Sequence, residues 1–167
     1  LVDWLEIEGP LHPEWPPVSH RLLLGAEGTA DGSPADPESE TARARAVLAR
    51  FMARAYRRPV GPDEIDAKLS LFTTARAGAG SFLEAIKIPL TAVLASPHFL
   101  YLAEPQPATR EARPLTPHEL GSRLSYFLWS TMPDETLAAL ATDGTLVRPE
   151  VLAAQVDRLL ADPKADA

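Results

Sequence analysis

Residues 116–134 read TPHELGSRLSYFLWSTMPD, and this stretch decides the fold class. Thr116 can accept a backbone N–H through its hydroxyl, Pro117 stands where a missing N–H costs nothing, and Glu119 occupies the reciprocal position of a capping box. The stretch predicts a helix that opens at Thr116. Leu120, Leu124, Phe127 and Leu128 recur at i, i+4, i+7 and i+8 as one apolar stripe. Gly121 and Ser125 form a small-residue strip beside it, against which a second helix can pack closely. Glu119 and Arg123 stand four apart in the favourable order, an ion pair of about 0.2–0.5 kcal/mol. Pro133 is expected to end this helix and begin the next.

The same opening recurs at Gly61-Pro62-Asp63-Glu64, Met132-Pro133-Asp134-Glu135 and Arg148-Pro149-Glu150. Each sets Pro in the first turn with acids close behind, where the positive end of the helix dipole favours them. The spacings are uneven, so the pattern is shared helix grammar and not a solenoid repeat. Upstream, Asp36-Pro37 opens a helix running to about Tyr56, with Ala44, Val47, Leu48, Phe51, Met52 and Ala55 as its buried stripe. Arg57-Arg58-Pro59 closes it, with cations near its negative end. A second helix starts at Gly61-Pro62, turns Ile65, Leu69 and Phe72 to the core, and stops at Gly78 and Gly80. Residues 81–95 are apolar nearly all round and are expected to form the central helix of this bundle, kinked at Pro89. Ser96-Pro97 opens a short turn, HFLYL, expected to pack on the same core. Residues 133–141 and 149–161 are helical in pattern, the latter with Val151, Leu152, Val156, Leu159 and Leu160 as its apolar set.

The N-terminal LVDWLEIE alternates with a rough period of two and reads as one strand. A lone strand cannot satisfy its own backbone, so its partners are expected upstream of Leu1. Residues 9–25 carry Pro10, Pro13, Pro16 and Pro17 and read as irregular extended chain. Residues 26–35 are rich in Gly, Ser and acids and read as a linker. The chain begins without Met in a strand-like run and stops just after a helical pattern, so a fragment of a longer polypeptide is expected.

At 167 residues, with 46% hydrophobic and 23% charged side chains, the chain can build ordinary globular cores. Its net charge of −7 sets the overall field against a phosphate-tracking surface, so nucleic acid is not expected as a partner. There is no cysteine, which excludes disulfides, thiolate zinc sites, a Cys nucleophile and haem attachment through C-x-x-C-H. No run reaches the roughly 20 apolar residues that span a bilayer. The first residues have neither the basic region nor the apolar core of a signal peptide.

Several residues carry chemistry that can be weighed against a structural role. His98 and His118, the histidines of the helical part, can ligate a metal or haem iron, or can be a packed turn residue and an exposed first-turn residue respectively. HELGS at His118 lacks the second His of H-E-x-x-H, so its spacing fails as a zinc hydrolase. Arg43, Arg50, Arg54 and Arg57 fall on one side of a helix, and with Arg58 they can bind a carboxylate, a sulfate or an anionic glycan. The plainer reading pairs them with Glu38, Glu40, Asp63, Glu64 or Asp66 on a solvated face. Arg57 and Arg58 suit an anchoring role at the turn between the first two helices. Tyr126 and Trp129 can form a stacking platform for a sugar or a cytochrome partner, or can seal a helix–helix core. Asp134 and Glu135 are adjacent on a first turn, point apart and serve the dipole rather than acid/base work. There is no Gly-rich phosphate loop, nucleophile elbow or EF-hand loop.

Two stretches carry a family resemblance. ARAVLARFMARAYRRPVGPDEI with LASPHFLYLAE, and LTPHELGSRLSYFLWSTMPDETLAALATDGTL with VLAAQVDRLLADPKA, resemble the tandem helical domains of unknown function in large planctomycete-type cytochrome c multidomain proteins. DWLEIEGPL with WPPVSHRLLLG is similar to the junction before those domains, where such proteins carry a sandwich resembling a carbohydrate-binding module. The resemblance implies export, hence an extracytoplasmic location. It implies a haem c domain elsewhere in the parent protein, and no activity that transfers to a residue of this chain.

The expected fold is mainly α, with two small helical bundles joined by a Pro-rich linker and one N-terminal strand left from a truncated β domain. The expected divisions are 1–25 for the tail of a β-sandwich-like domain, 26–35 for a linker and 36–104 for the first helical domain. They continue with 105–114 for a second linker and 115–167 for the start of a second, truncated helical domain. The expected function is a non-catalytic structural or interaction module of a large exported, haem-linked protein. The alternative is part of an oxidoreductase or polysaccharide-acting enzyme whose site is completed by sequence outside this fragment. Candidate binding residues are Arg50, Arg54, Arg57, Arg58, His118, Arg123 and Trp129, with no metal site and no cofactor held by this chain. The expected partners are other domains of the same polypeptide, with a polysaccharide or a cytochrome as further candidates; glycan binding near Trp4 and Trp15 is a third reading.

Overall fold

Arg58-Pro59-Val60-Gly61-Pro62-Asp63-Glu64 and Arg113-Pro114-Leu115-Thr116-Pro117-His118-Glu119 follow one pattern, an Arg six residues before a Glu with two prolines between. The computed structural model describes residues 4, 9, 14, 16–25, 37–102 and 112–166. In it, both stretches fold into the same clamp. Arg58 grips both carboxylate oxygens of Glu64 at 2.7 and 2.9 Å while Gly61 N–H donates to Glu64 at 3.1 Å. Arg113 grips Glu119 at 2.6 and 2.7 Å while Thr116 N–H donates to it at 2.8 Å. Each Arg also donates to the carbonyl of the proline after it. Gly61 has no side chain, so only at Thr116 does a hydroxyl complete the capping box by accepting from Glu119 N–H. The carboxylate that the sequence assigns to Arg123 is thus held by Arg113.

The first clamp opens α3 (Pro62–Arg76) directly after α2 (Pro37–Tyr56). With α4 (Phe82–Leu94), these three helices pack each on the other two, so no single helix is central. Ala44, Val47, Leu48, Met52, Leu69, Phe72, Phe82, Ile86 and Val93 form the core, as the spacing predicts. One side of α4 faces out at Ile88 and Leu94, and the helix continues through a buried Pro89 as a single element. Glu40 is buried and satisfied by two bonds from Arg76 at 2.7 and 3.1 Å, which tie the start of α2 to the end of α3. The Arg43 guanidinium lies 4.4 Å from the centre of the Phe82 ring, and Arg45 pairs with Asp66. In α5 (Pro97–Leu100) only Phe99 of the HFLYL run packs on this core; Leu100, Tyr101 and Leu102 are exposed.

The second clamp opens α6 (Pro117–Trp129), the helix predicted from residues 116–134. Its small face works as expected, because a Cβ at Gly121 would stand 3.2 Å from Leu146 and 4.0 Å from Ala141. That approach lets α7 (Glu135–Thr142) and a 3-10 turn at Thr145–Val147 close onto α6. Leu120, Leu124 and Leu128 pack toward the core, but Phe127 is 85% exposed and leaves the predicted stripe. The end of α6 also differs from expectation. Ser130 adopts the left-handed conformation at φ 54°, Asp134 caps α7 by accepting Leu137 N–H, and Pro133 lies in the turn between them. α8 (Pro149–Leu160) buries Leu159 and leaves Leu160 exposed, and a 3-10 turn at Pro163–Asp166 follows.

A short helix that the sequence reading placed in irregular chain, α1 (Val18–Leu24), rests on α2 through a buried Leu24. No strand occurs among the described residues. The predicted strand at 1–8, apart from Trp4, and the linker at 26–35 lie outside them, as do residues 105–111 of the second linker.

The two clamps predict an acid limb in the stability. Arg58 first, then the Gly61 N–H, hold the Glu64 carboxyl down to about 2 against its burial; Arg113 and Thr116 do the same for Glu119. A carboxyl depressed in the folded state stabilises above its unfolded pKa and loses that contribution as pH falls toward the folded value. Stability should therefore decline between about pH 4.5 and pH 2. Glu119→Gln should cost on the order of 2 kcal/mol at pH 7 and almost nothing at pH 2, with a smaller cost at the more exposed Glu64. Urea melts across that range provide the check.

Candidate functional site

The C-terminal half of α2 projects Arg50, Arg54 and Arg57 on one side, as their spacing of three and four requires. Across from them stand the first turn of α6, with His118, and the start of α7, with Asp134 and Glu135. Between the two walls lies a cleft of about 810 Å³, flanked on one side by Ser19, Leu22 and Leu23 of α1. Its surface is mostly apolar, contributed by Leu22, Phe51, Ala53, Pro133 and Ala138 among others.

The charged groups around the cleft have different commitments. Arg57 sits just past α2 at φ 58°, a left-handed position where Gly is relaxed and other residues are strained. The turn is closed by Arg58 N–H to Ala53 C=O at 3.3 Å. The Arg57 guanidinium donates to the carbonyls of His98 and Tyr101 at 2.9 Å and of Phe99 at 3.3 Å. It also lies 5.7 Å from the centre of the Tyr126 ring, reaching from the end of α2 to α6. Arg58 is held by Glu64. Arg50 donates to Leu23 C=O at 3.2 Å and lies against Gly25, where φ is 88° and a Cβ would come 3.4 Å from its guanidinium. Arg54 has one ion partner among the described residues, Glu135 at 4.0 Å, and both side chains are largely exposed.

On the opposite wall, burial resists ionisation of Asp134, but two bonds from Arg158 at 2.8 and 3.2 Å and the Leu137 N–H hold its carboxyl below the usual range. His118 is half-buried, and burial pushes its imidazole pKa down, so the ring is neutral at pH 7. The arrangement offers apolar walls, a guanidinium with spare donors and a neutral imidazole. No group of three or more His, Cys, Asp or Glu that could hold a metal occurs among the described residues.

The structure thus brings Arg50, Arg54, Arg57, Arg58 and His118 to one cleft and leaves Arg123 and Trp129 outside it. Trp129 is 5% exposed, donates its indole N–H to Leu159 C=O at 2.9 Å and is flanked by Arg158 and Lys164. It therefore seals a core and cannot be a stacking platform. His98 is exposed with its ring 5.3 Å from Tyr56, and His118 is less open than a first-turn His on a free surface. Sequence reasoning missed the α1 wall, although Pro17 before and Gly25 after VSHRLLL are start and stop signals.

Replacing Arg57 separates side-chain from backbone effects. Arg57→Ala should destabilise by about 2 kcal/mol, having lost three bonds to a charged donor. Arg57→Gly should cost about 1 kcal/mol less because Gly relaxes φ. Denaturant melts measure both, and an Arg57→Gly variant about 1 kcal/mol more stable than the parent would show that the side chain contributes nothing.

Residues 43–104 match the PSD5 family, described as a protein of unknown function (DUF1595), and residues 115–167 match the PSD4 family, described as a protein of unknown function (DUF1592). No curated protein and no solved structure matches the chain. The two helical cores on either side of the cleft are therefore a DUF1595 domain and a DUF1592 domain in tandem.

Proposed function

We propose that this chain is a non-catalytic structural or interaction module of a larger exported, haem-linked multidomain protein. The commitment of the charged groups around the cleft carries this reading. Arg57 is engaged by three carbonyls, Arg58 by Glu64 and Asp134 by Arg158, so these ions build their own domains, and Arg57 also reaches the face of Tyr126 in the second. What they frame is a mostly apolar recess suited to recognition. The resemblance to cytochrome c multidomain proteins supports the exported, haem-linked setting. With no cysteine, this chain does not fit covalent haem attachment, so in this reading haem c belongs to other domains of the parent. Those domains are the first partners of the module, and a polysaccharide or a cytochrome is a second kind.

A second reading, a share in an oxidoreductase or polysaccharide-acting site, is favoured by one observation, the neutral His118 in the cleft. Thermal unfolding with haem and with divalent metal ions separates the two. A ligand that binds only the folded state adds RT ln(1 + [L]/Kd), about 2.7 kcal/mol at a hundredfold excess over Kd. The module reading predicts a cooperative melt that neither haem nor metal shifts. A shift that His118→Ala abolishes would replace it with the second reading.

A further inference from the structure

We propose that the cleft between α2 and α7 binds a small amphipathic carboxylate, with its head on Arg54 and its apolar body along Leu22, Phe51, Pro133 and Ala138. This rests on the reading of the chain as a binding module and names the ligand class for its cleft.

Size is the first argument. At about 810 Å³, the cleft falls within the roughly 300–1,000 Å³ typical of small-molecule sites and is lined mainly by apolar side chains. Charge is the second. Of the four guanidinium groups and two carboxylates that line the cleft, Arg58 is paired with Glu64 and Asp134 with Arg158, which leaves Arg50, Arg54 and Arg57 against Glu135. The recess is therefore locally positive in a chain of net charge −7, which disfavours cations and draws an anion to this face.

The state of each cation locates the head group. Arg57 and Arg58 have their donors directed at backbone carbonyls and at Glu64. Arg54 is held only at 4.0 Å by Glu135, whose side chain is 96% exposed, so an incoming anion displaces a pair of little strength. Arg50 gives a donor to the Leu23 carbonyl on the α1 side, whereas Arg54 reaches the α7 wall at Glu135, and its guanidinium fork matches one carboxylate through two parallel N–H bonds. A bare inorganic anion would leave the apolar walls wet, and an uncharged apolar molecule would leave the Arg54 donors unused. A singly charged head on an apolar body satisfies both. The half-buried, neutral His118 adds no competing charge.

Calorimetric titration of the full chain with decanoate tests this, with acetate as the head without the body and decyltrimethylammonium as the body with the opposite charge. Decanoate should bind at one site, and both controls should bind at least about tenfold more weakly. Arg54→Gln, at an exposed side chain, should weaken decanoate about tenfold, the worth of one charge-assisted contact. Ala138→Trp, which fills the recess from an exposed position of α7, should abolish the binding. Thermal melts confirm that both variants fold. Absence of decanoate binding overturns the proposal, as does binding that Arg54→Gln leaves unchanged or that decyltrimethylammonium matches. Failure here with a melt indifferent to haem and metal leaves the module reading standing. Chemical turnover of bound decanoate would end the module reading while keeping the site.

Discussion

Arg57 is the point at which three parts of the chain are tied together. It ends α2 in a left-handed conformation that costs about 1 kcal/mol for a residue with a Cβ. A glycine there would remove that strain but would supply no side chain. The guanidinium returns more than the strain takes, with three carbonyls at the end of α5 and the face of Tyr126 on α6. The left-handed turn also directs the chain into the Arg58–Glu64 clamp that starts α3. Backbone direction in the first domain and contact with the second thus depend on one residue.

The helices were legible because their signals are local. A cap, a first-turn proline and a repeat of three and four act within a dozen residues, and tertiary packing does not contest them in α2 or α3, nor the cap and first turn of α6. The clamps were legible only in half. The Glu after each Pro was visible as a capping residue, while the Arg six positions before it belongs to the preceding turn and falls outside a helix-based search. Read together, Arg58 to Glu64 and Arg113 to Glu119 are one device used twice, which explains why both domains open with the same geometry despite different cores. Phe127 and Leu160 show the limit of periodicity: each sits at a position that suits an apolar stripe, yet the core of five residues around Trp129 is too small to reach them.

The cleft was less legible than the helices, for a physical reason. Arg50, Arg54 and Arg57 are equivalent in spacing, and only the tertiary structure gives them different partners: a carbonyl of α1, a distant Glu135 and the end of α5. For the same reason Trp129 takes the core-sealing one of its two readings and His118 is less open than a first-turn residue on a free face. Indole carries a donor that the Leu159 carbonyl takes inside the second core, whereas His118, in the first turn of the same helix, is turned toward the opposite domain. A recess between domains is made by neither domain's pattern, so no single stretch of sequence announces it.

The cleft has fixed walls only when the two domains are docked. Because the chain has no cysteine, two introduced labels report on one chosen pair. Spin labels at Ala46→Cys on α2 and Ala139→Cys on α7, both exposed positions, give the interdomain distance by pulsed electron–electron resonance. A single narrow distance distribution is predicted. A broad or two-peaked distribution in the unmodified background would contradict a preformed cleft and leave two helical domains that move independently.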